Sequence, residues 1–298
     1  MNLYDQIGRN KRRTVFYIGL FLVFIIGLGW IFSSVYNSPI ILVIAVVLAI
    51  VQAFSSYFWG DSIALAMAHA TPVKRAENPE LHRIVENLAI TAGLPKPKIY
   101  IIPDAAPNAF ATGRDPKHAS VAVTAGLLEI LDKDELQGVL AHELSHIGNH
   151  DSLLMVVIVV LVGVVAIASN LFFRVGFFGG FGRDNDSGGE GGAIILAIGI
   201  ILAILAPLAA TLIQLAISRK REFMADATGA LLTRYPEGLA NALQKISNYK
   251  LPMKYTNDAT ALLYIENPTN KRRSWFSGLF DTHPPVADRI KALMEMGK

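Results

Sequence analysis

Residues 14–60 carry no charged side chain. A membrane-crossing helix needs about 20 apolar residues, so this run holds two crossings. Tyr36-Asn37-Ser38-Pro39 is a turn signal in its middle. The spacing predicts spans at about 14–34 and 39–59. A cleaved leader fits poorly: the apolar run is too long, and no small-residue cleavage site precedes more soluble sequence. Two more uncharged stretches follow, 152–173 and 191–218, the second with Pro207 as an expected kink. The expectation is therefore four transmembrane helices.

Composition agrees with a membrane class. The chain is 52% hydrophobic, with a mean hydropathy of +0.41. Only 17% of residues are charged and the net charge is +3, which argues against nucleic acid as a partner. The basic residues cluster beside apolar runs, as in Arg9, Lys11, Arg12 and Arg13, and suit an anionic lipid surface. The bilayer itself is thus the expected partner. There is no cysteine, which removes disulfides, thiolate ligands and a cysteine nucleophile together. No GxSxG elbow and no phosphate-binding glycine motif is present. Any metal must be held by histidine and carboxylate.

Four segments result: 1–60, an N-terminal stretch and transmembrane hairpin; 61–151, a first soluble part; 152–218, a second transmembrane pair around a Gly-rich loop at 174–192; and 219–298, a second soluble part. In the first soluble part, Leu81, Ile84, Val85 and Leu88 predict an amphipathic helix from Glu77 to about Ala92. Strands are expected at Lys98–Ile102, Asn108–Thr112 and Ser120–Thr124, and a helix at Ala125–Leu131. Pro236 opens a helix to about Tyr249. Trp275, Phe276, Leu279 and Phe280 are either core or a membrane-facing patch, core being the favoured reading. The fold class is mainly α, of α+β type, with a small sheet. Basic residues crowd 1–13, 61–151 and 219–298, whereas 174–192 has only Arg174 and Arg183. The positive-inside rule then places both termini and both soluble parts in the cytoplasm.

The chemistry is concentrated in His142-Glu143-Leu144-Ser145-His146, inside an apolar run from Leu136 to Ile147. Asp132 and Glu135 read as a capping box at the start of that helix. His142 and His146 are four apart and share a helix face, so both imidazoles can bind one cation. Glu143 is a candidate general base for a metal-activated water. A catalytic zinc takes three protein ligands and keeps one position open. His150 is a weak third candidate, because it stands about 12 Å further along a continuing helix than His142. Glu222 is the better one and would complete a His2Glu set. Asp226, one turn on, would accept the outer N–H of a ligating histidine. The plainer reading of Glu222 and Asp226 is a solvated, charged helix end.

Asn108-Ala109-Phe110-Ala111, HELSH, Glu222-Phe223-Met224-Ala225-Asp226 and Thr282-His283-Pro284-Pro285 with Arg289 together resemble the HtpX-type zinc metalloproteases. These are membrane-bound gluzincins related to the CAAX prenyl proteases. The resemblance covers nearly the whole chain. It implies a zincin-type catalytic domain with one zinc ion per chain. It also implies an endopeptidase of the bacterial inner membrane that acts on misfolded or damaged membrane proteins, in protein quality control under stress. It further implies His283 and Arg289 as partners of the developing oxyanion, and residues 108–111 as the edge strand that aligns an unfolded polypeptide substrate. On the residues alone, His283 is equally a helix-start residue and Arg289 a solvated charge. The rival class is a membrane scaffold or holdase with a structural zinc site. Closed structural sites favour four ligands, usually with cysteine, and this chain has none. A transporter would need ionisable groups inside its spans, and these have none.

Overall fold

The computed structural model describes residues 3–35, 37–161, 219–254, 260–267 and 284–297. Helix α1 runs Leu3–Val35 and α2 runs Pro39–Phe58, packed side by side as a hairpin. Asn37 makes the reversal at φ 47°, and Pro39 opens α2 with the fixed φ that a first helical position tolerates. The polar residues before Thr14 are helical too, so α1 carries its basic cluster out of the apolar zone as a continuation of the same rod. Val15, Phe16, Val23 and Trp30 on α1 are exposed, as are Val43, Val47, Val51 and Phe54 on α2. An apolar surface of this extent is what lipid covers.

A short helix, α3 (Gly60–Met67), leads into the first soluble part. Next come β1 (Thr71–Pro72), α4 (Pro79–Thr91), β2 (Lys98–Ile102), β3 (Ala109–Gly113) and β4 (Ala119–Thr124). Asn78 caps α4 by accepting the Leu81 N–H, and Pro79 again fills the first position. The four strands lie in the order β1-β2-β4-β3. β2 and β4 are parallel, whereas β1 and β3 are each antiparallel to their neighbours. β3 is therefore an edge strand. Leu81, Ile84, Val85 and Leu88 of α4 are all buried in the core against this sheet, as their spacing predicts.

Helix α5 (Ala125–Ile130) is capped by the Thr124 hydroxyl and leads to α6 (Lys133–Gly148). The capping box of α6 forms: Asp132 accepts from the Asp134 and Glu135 amides, and Glu135 accepts from the Asp132 amide at 2.9 Å. From Leu136 to Ile147 nearly every residue is buried, because α6 is wrapped on all sides. Helix α7 (Asp151–Leu161) follows at an 84° bend. Later in the chain come α8 (Arg219–Thr233), α9 (Pro236–Ser247) and α10 (Val286–Met296). α8 and α9 pack on α6, and α10 packs on α8 and α9. Gly138 lets α9 approach, since a Cβ there would stand 2.6 Å from the Leu239 backbone nitrogen.

The expectation of four transmembrane helices needs correction. Among the described residues two helices are long and apolar enough to cross a membrane, Ile7–Ser34 and Pro39–Phe58. The count rises to three only if α6 and α7 together form one broken span. The third expected span starts with α7, every residue of which is buried in protein. Leu153, Val157 and Leu161 pack against Phe21 of α1, and Gln52 of α2 donates to the Val160 carbonyl at 3.1 Å. Its apolar character is accounted for by those neighbours. The rest of that span, the loop 174–192, the fourth span at 191–218, the aromatic residues at 275–280 and His283 lie outside the described residues.

Candidate active site

His142 and His146 lie on α6, one turn apart, and Glu222 comes from the first turn of α8. The two helices are pressed together: a Cβ on Gly229 would stand 3.0 Å from the His142 backbone nitrogen. The Nε2 atoms of the two histidines face each other at 3.2 Å. The Glu222 carboxylate stands across from them, 3.8 Å from His142 Nε2 and 3.7 Å from His146 Nε2. One ligand atom from each of the three residues lies within 4.8 Å of the others, and all three residues are buried. Two imidazole nitrogens and a carboxylate oxygen, buried and converging, fit the His2Glu donor set of a catalytic zinc. The arrangement leaves room for a fourth, non-protein ligand.

Each histidine turns its other nitrogen to a carboxylate. His142 Nδ1 is 2.9 Å from Asp226 Oδ1, an oblique approach rather than one along the ring N–H. His146 Nδ1 is 3.3 Å from Asp151 Oδ2. Asp226 is the partner expected from its helical offset. Asp151 was not singled out from the sequence, because it lies five residues past His146 and on a continuous helix would face elsewhere. The break between α6 and α7 brings it back. No signal short of that bend could have found it.

Each of these aspartates is held in turn. Arg289 donates from Nε to Asp226 Oδ2 at 2.9 Å and from Nη2 to Oδ1 at 2.7 Å. Its Nη1 donates to the Ile265 carbonyl at 3.0 Å. Arg289 is fully buried and takes no part in lining the cleft. The role at the oxyanion that the resemblance implied does not match this position: the guanidinium stands behind Asp226. Burial works against the Asp226 charge, but Arg289 and His142 together more than offset it, so the Asp226 carboxyl is held down at about 2 and stays ionised. His142 has its pKa lowered, with burial the main cause.

Glu143 points into the same cleft, which is also lined by Ala111, Leu263, Tyr264 and Ile265. Burial pushes its carboxyl up to about 7, helped by the Glu222 charge and opposed by His146 and a hydrogen bond from the Ala111 amide. A carboxyl in that range both accepts and returns a proton near neutrality. Ala111 thus connects β3 to the reacting centre. At the other end of the strand, Asn108 donates to the Glu266 carbonyl at 2.9 Å, and the Ile265 amide donates to the Ala109 carbonyl at 3.0 Å. Residues 265–266 therefore cover the edge of β3 at Ala109. Phe110 faces away from the cleft, buried against Tyr264. His150, the weaker ligand candidate, sits at the α6–α7 corner at φ 57° and is no part of the metal cluster.

Residues 75–297 match peptidase family M48. Protease HtpX homologs align along the full chain. That of Thermoanaerobacter pseudethanolicus is 44% identical, over 99% of this chain and 98% of its own. The chain belongs to the HtpX proteases of peptidase family M48. The HtpX homolog of Pyrococcus furiosus is 48% identical over 94% of this chain and 96% of its own. Among solved structures, S. mikatae Ste24p is similar in fold, with a TM-score of 0.50 and 22% identity. That likeness covers 94% of this chain, which spans 65% of that structure's length. The chain is a zinc-dependent, membrane-associated protease.

Proposed function

We propose that this protease binds one zinc ion through His142, His146 and Glu222 and cleaves unfolded or damaged membrane proteins at the cytoplasmic face of the bacterial inner membrane. The observation that carries the reading is the convergence of the two Nε2 atoms and the Glu222 carboxylate on one point beside Glu143. Zinc, when bound, supplies a Lewis acid that activates a water and polarises the scissile carbonyl. Glu143, facing the point where the ligand atoms converge, would accept a proton from a water there and pass it to the leaving amine. Asp226 and Asp151 orient the two imidazoles, and Arg289 acts by holding Asp226. His283, in the Thr282–Pro285 motif, remains the proposed donor to the oxyanion by family resemblance.

The substrate enters as an extended chain along the edge of β3, beginning at Ala111, the end of the Asn108–Ala111 stretch that residues 265–266 leave uncovered. Ala109 and Ala111 turn their backbone outward from the sheet, and main-chain pairing recognises any unfolded polypeptide with little regard to sequence. Residues 265–266 limit that pairing at Ala109, so the aligned part of the substrate extends from Ala111 toward Gly113.

The α1–α2 hairpin anchors the domain in the bilayer. In this reading its basic end, Arg9 to Arg13, faces the same side as residues 61–151, which is supported by the bonds of Asn10 at Asn149 and Asp151 and by the packing of α8 and α9 onto α6. The test uses the full chain in detergent. Parent protein should contain about one zinc per chain and cleave a casein-like polypeptide, whereas Glu143→Gln should contain as much zinc and leave the polypeptide intact. Zinc without cleavage in the parent would favour the scaffold or holdase reading. A cytoplasm-active reporter fused after Lys298 should be active; an exported signal there would invert the proposed orientation.

A further inference from the structure

The two metal-ligating histidines are oriented from opposite ends of the chain. His142 leans on Asp226, held by Arg289 of α10. His146 leans on Asp151, and what holds Asp151 comes from α1. Asn10 Nδ2 donates to Asp151 Oδ1 at 2.6 Å and to the Asn149 carbonyl at 3.1 Å. Asn10 is 4% exposed and Asp151 is 2% exposed, so water does not compete for either contact. The Arg221 guanidinium, also buried, lies 3.4 Å from the same Asp151 oxygen and balances its charge without an aligned hydrogen bond.

The corner between α6 and α7 makes this geometry. Asn149 ends α6, His150 takes a left-handed conformation, and Asp151 opens α7 after the 84° turn. Asn10 grips the corner on both sides of His150. Thr14, one turn along α1 and also buried, donates back to the Asn10 carbonyl at 3.0 Å. Nothing in the hydrophobic packing of α1 requires an asparagine at this position. A buried amide that reaches across 141 residues to one carboxylate costs desolvation unless its bonds are made, and here they are.

We propose that Asp151 is a positioning residue for His146 and that Asn10 holds it in place, so that the seating of the N-terminal membrane helix sets the geometry of one metal ligand. The inference rests on the metal-site reading above. Its consequence is that the peptidase site is fully formed only while α1 is docked on the α6–α7 corner. Anything that shifts α1, such as detergent exchange or a change of bilayer, reaches the metal through Asn10 and Asp151.

The test measures zinc affinity by chelator competition and the visible absorption of the cobalt-substituted protein, for full-length parent, Asn10→Ala, Asp151→Asn and the double variant. Cobalt absorption reports ligand geometry, which general destabilisation of a folded protein does not change. Asp151→Asn should bind zinc about 10–100-fold more weakly, the usual cost of losing a carboxylate partner to a ligating histidine. Asn10→Ala should weaken binding by a smaller factor and shift the cobalt spectrum in the same direction. The double variant should match Asp151→Asn, because Asn10 acts through Asp151. Parental affinity and spectrum in Asn10→Ala would overturn the proposal, as would effects of the two substitutions that simply multiply. If Asp151→Asn does not fold, Asn10→Ala and Asn10→Asp decide alone, the latter placing a second carboxylate against Asp151. A parent protein that binds neither zinc nor cobalt would defeat the metal-site reading instead, which keeps the two failures apart.

Discussion

Arg289 grips Asp226 with two nitrogens, at 2.9 and 2.7 Å, and both groups are shut away from water. A buried pair of this kind is costly to break from one side, because the remaining charge keeps its burial and loses its partner. Arg289→Met should therefore lower stability by about 3–5 kcal/mol, read as unfolding of the metal-free protein in detergent. Combining it with Asp226→Asn should recover part of the loss, since the uncompensated charge is then gone. An Arg289→Met protein as stable as the parent would mean that the pair does not form.

Glu143→Gln should reduce peptide hydrolysis by ~100-fold or more, the scale of a lost general base. The amide keeps the shape of the carboxylate, so zinc content and thermal unfolding should stay at parental values. Hydrolysis at the parental rate would remove Glu143 from the mechanism.

Glu222→Ala should lose most of its zinc on dialysis, whereas His150→Asn should keep it. Asparagine tolerates the left-handed backbone at position 150, so this replacement tests ligation rather than the turn. The opposite pattern would make His150 the third ligand. Treating the parent with a strong chelator should abolish cleavage, and added zinc should restore it.

Asp226→Asn should fall between these cases. The side chain keeps its size but no longer holds the His142 tautomer, so zinc affinity should drop about 10–100-fold and excess zinc should restore part of the activity. An effect equal to that of Glu222→Ala would make Asp226 a ligand.

Gly138→Ala should separate α6 from α9. The added methyl would meet the Leu239 backbone nitrogen at 2.6 Å, and backbone cannot swing aside as a long side chain can. The expected cost is about 1–3 kcal/mol, seen as a lower unfolding temperature.

What could be read in advance depended on how far apart the interacting residues lie. The histidine pair, Glu143 and the capping box of α6 all sit within sixteen residues, where helical geometry does the arranging. Glu222 and Asp226 were legible for the same reason, as two carboxylates on one helical face. Arg289 was placed by resemblance at the oxyanion, because a sequence does not reveal whether an arginine faces a cleft or stands behind a carboxylate. Asp151 and Asn10 were invisible: one depends on a bend and the other on a contact across 141 residues. The span count failed on a related point. Hydropathy registers that residues 151–161 avoid water, but an interior formed by α1 and α2 satisfies them as well as lipid does.

The bracing of the two imidazoles from α1 and α10 has a bearing on biosynthesis. A nascent chain that has passed Glu222 already holds both histidines, the third proposed ligand and Glu143, yet Arg289 is still unmade. Until Arg289 has left the ribosome, Asp226 lacks this counter-charge and His142 has an unsteady partner. At the other end, His146 waits for α1 to settle in the bilayer beside the finished corner. A partly translated copy is thus an immature catalyst. Competence arrives once both braces, Arg289 on Asp226 and Asn10 on Asp151, are in place.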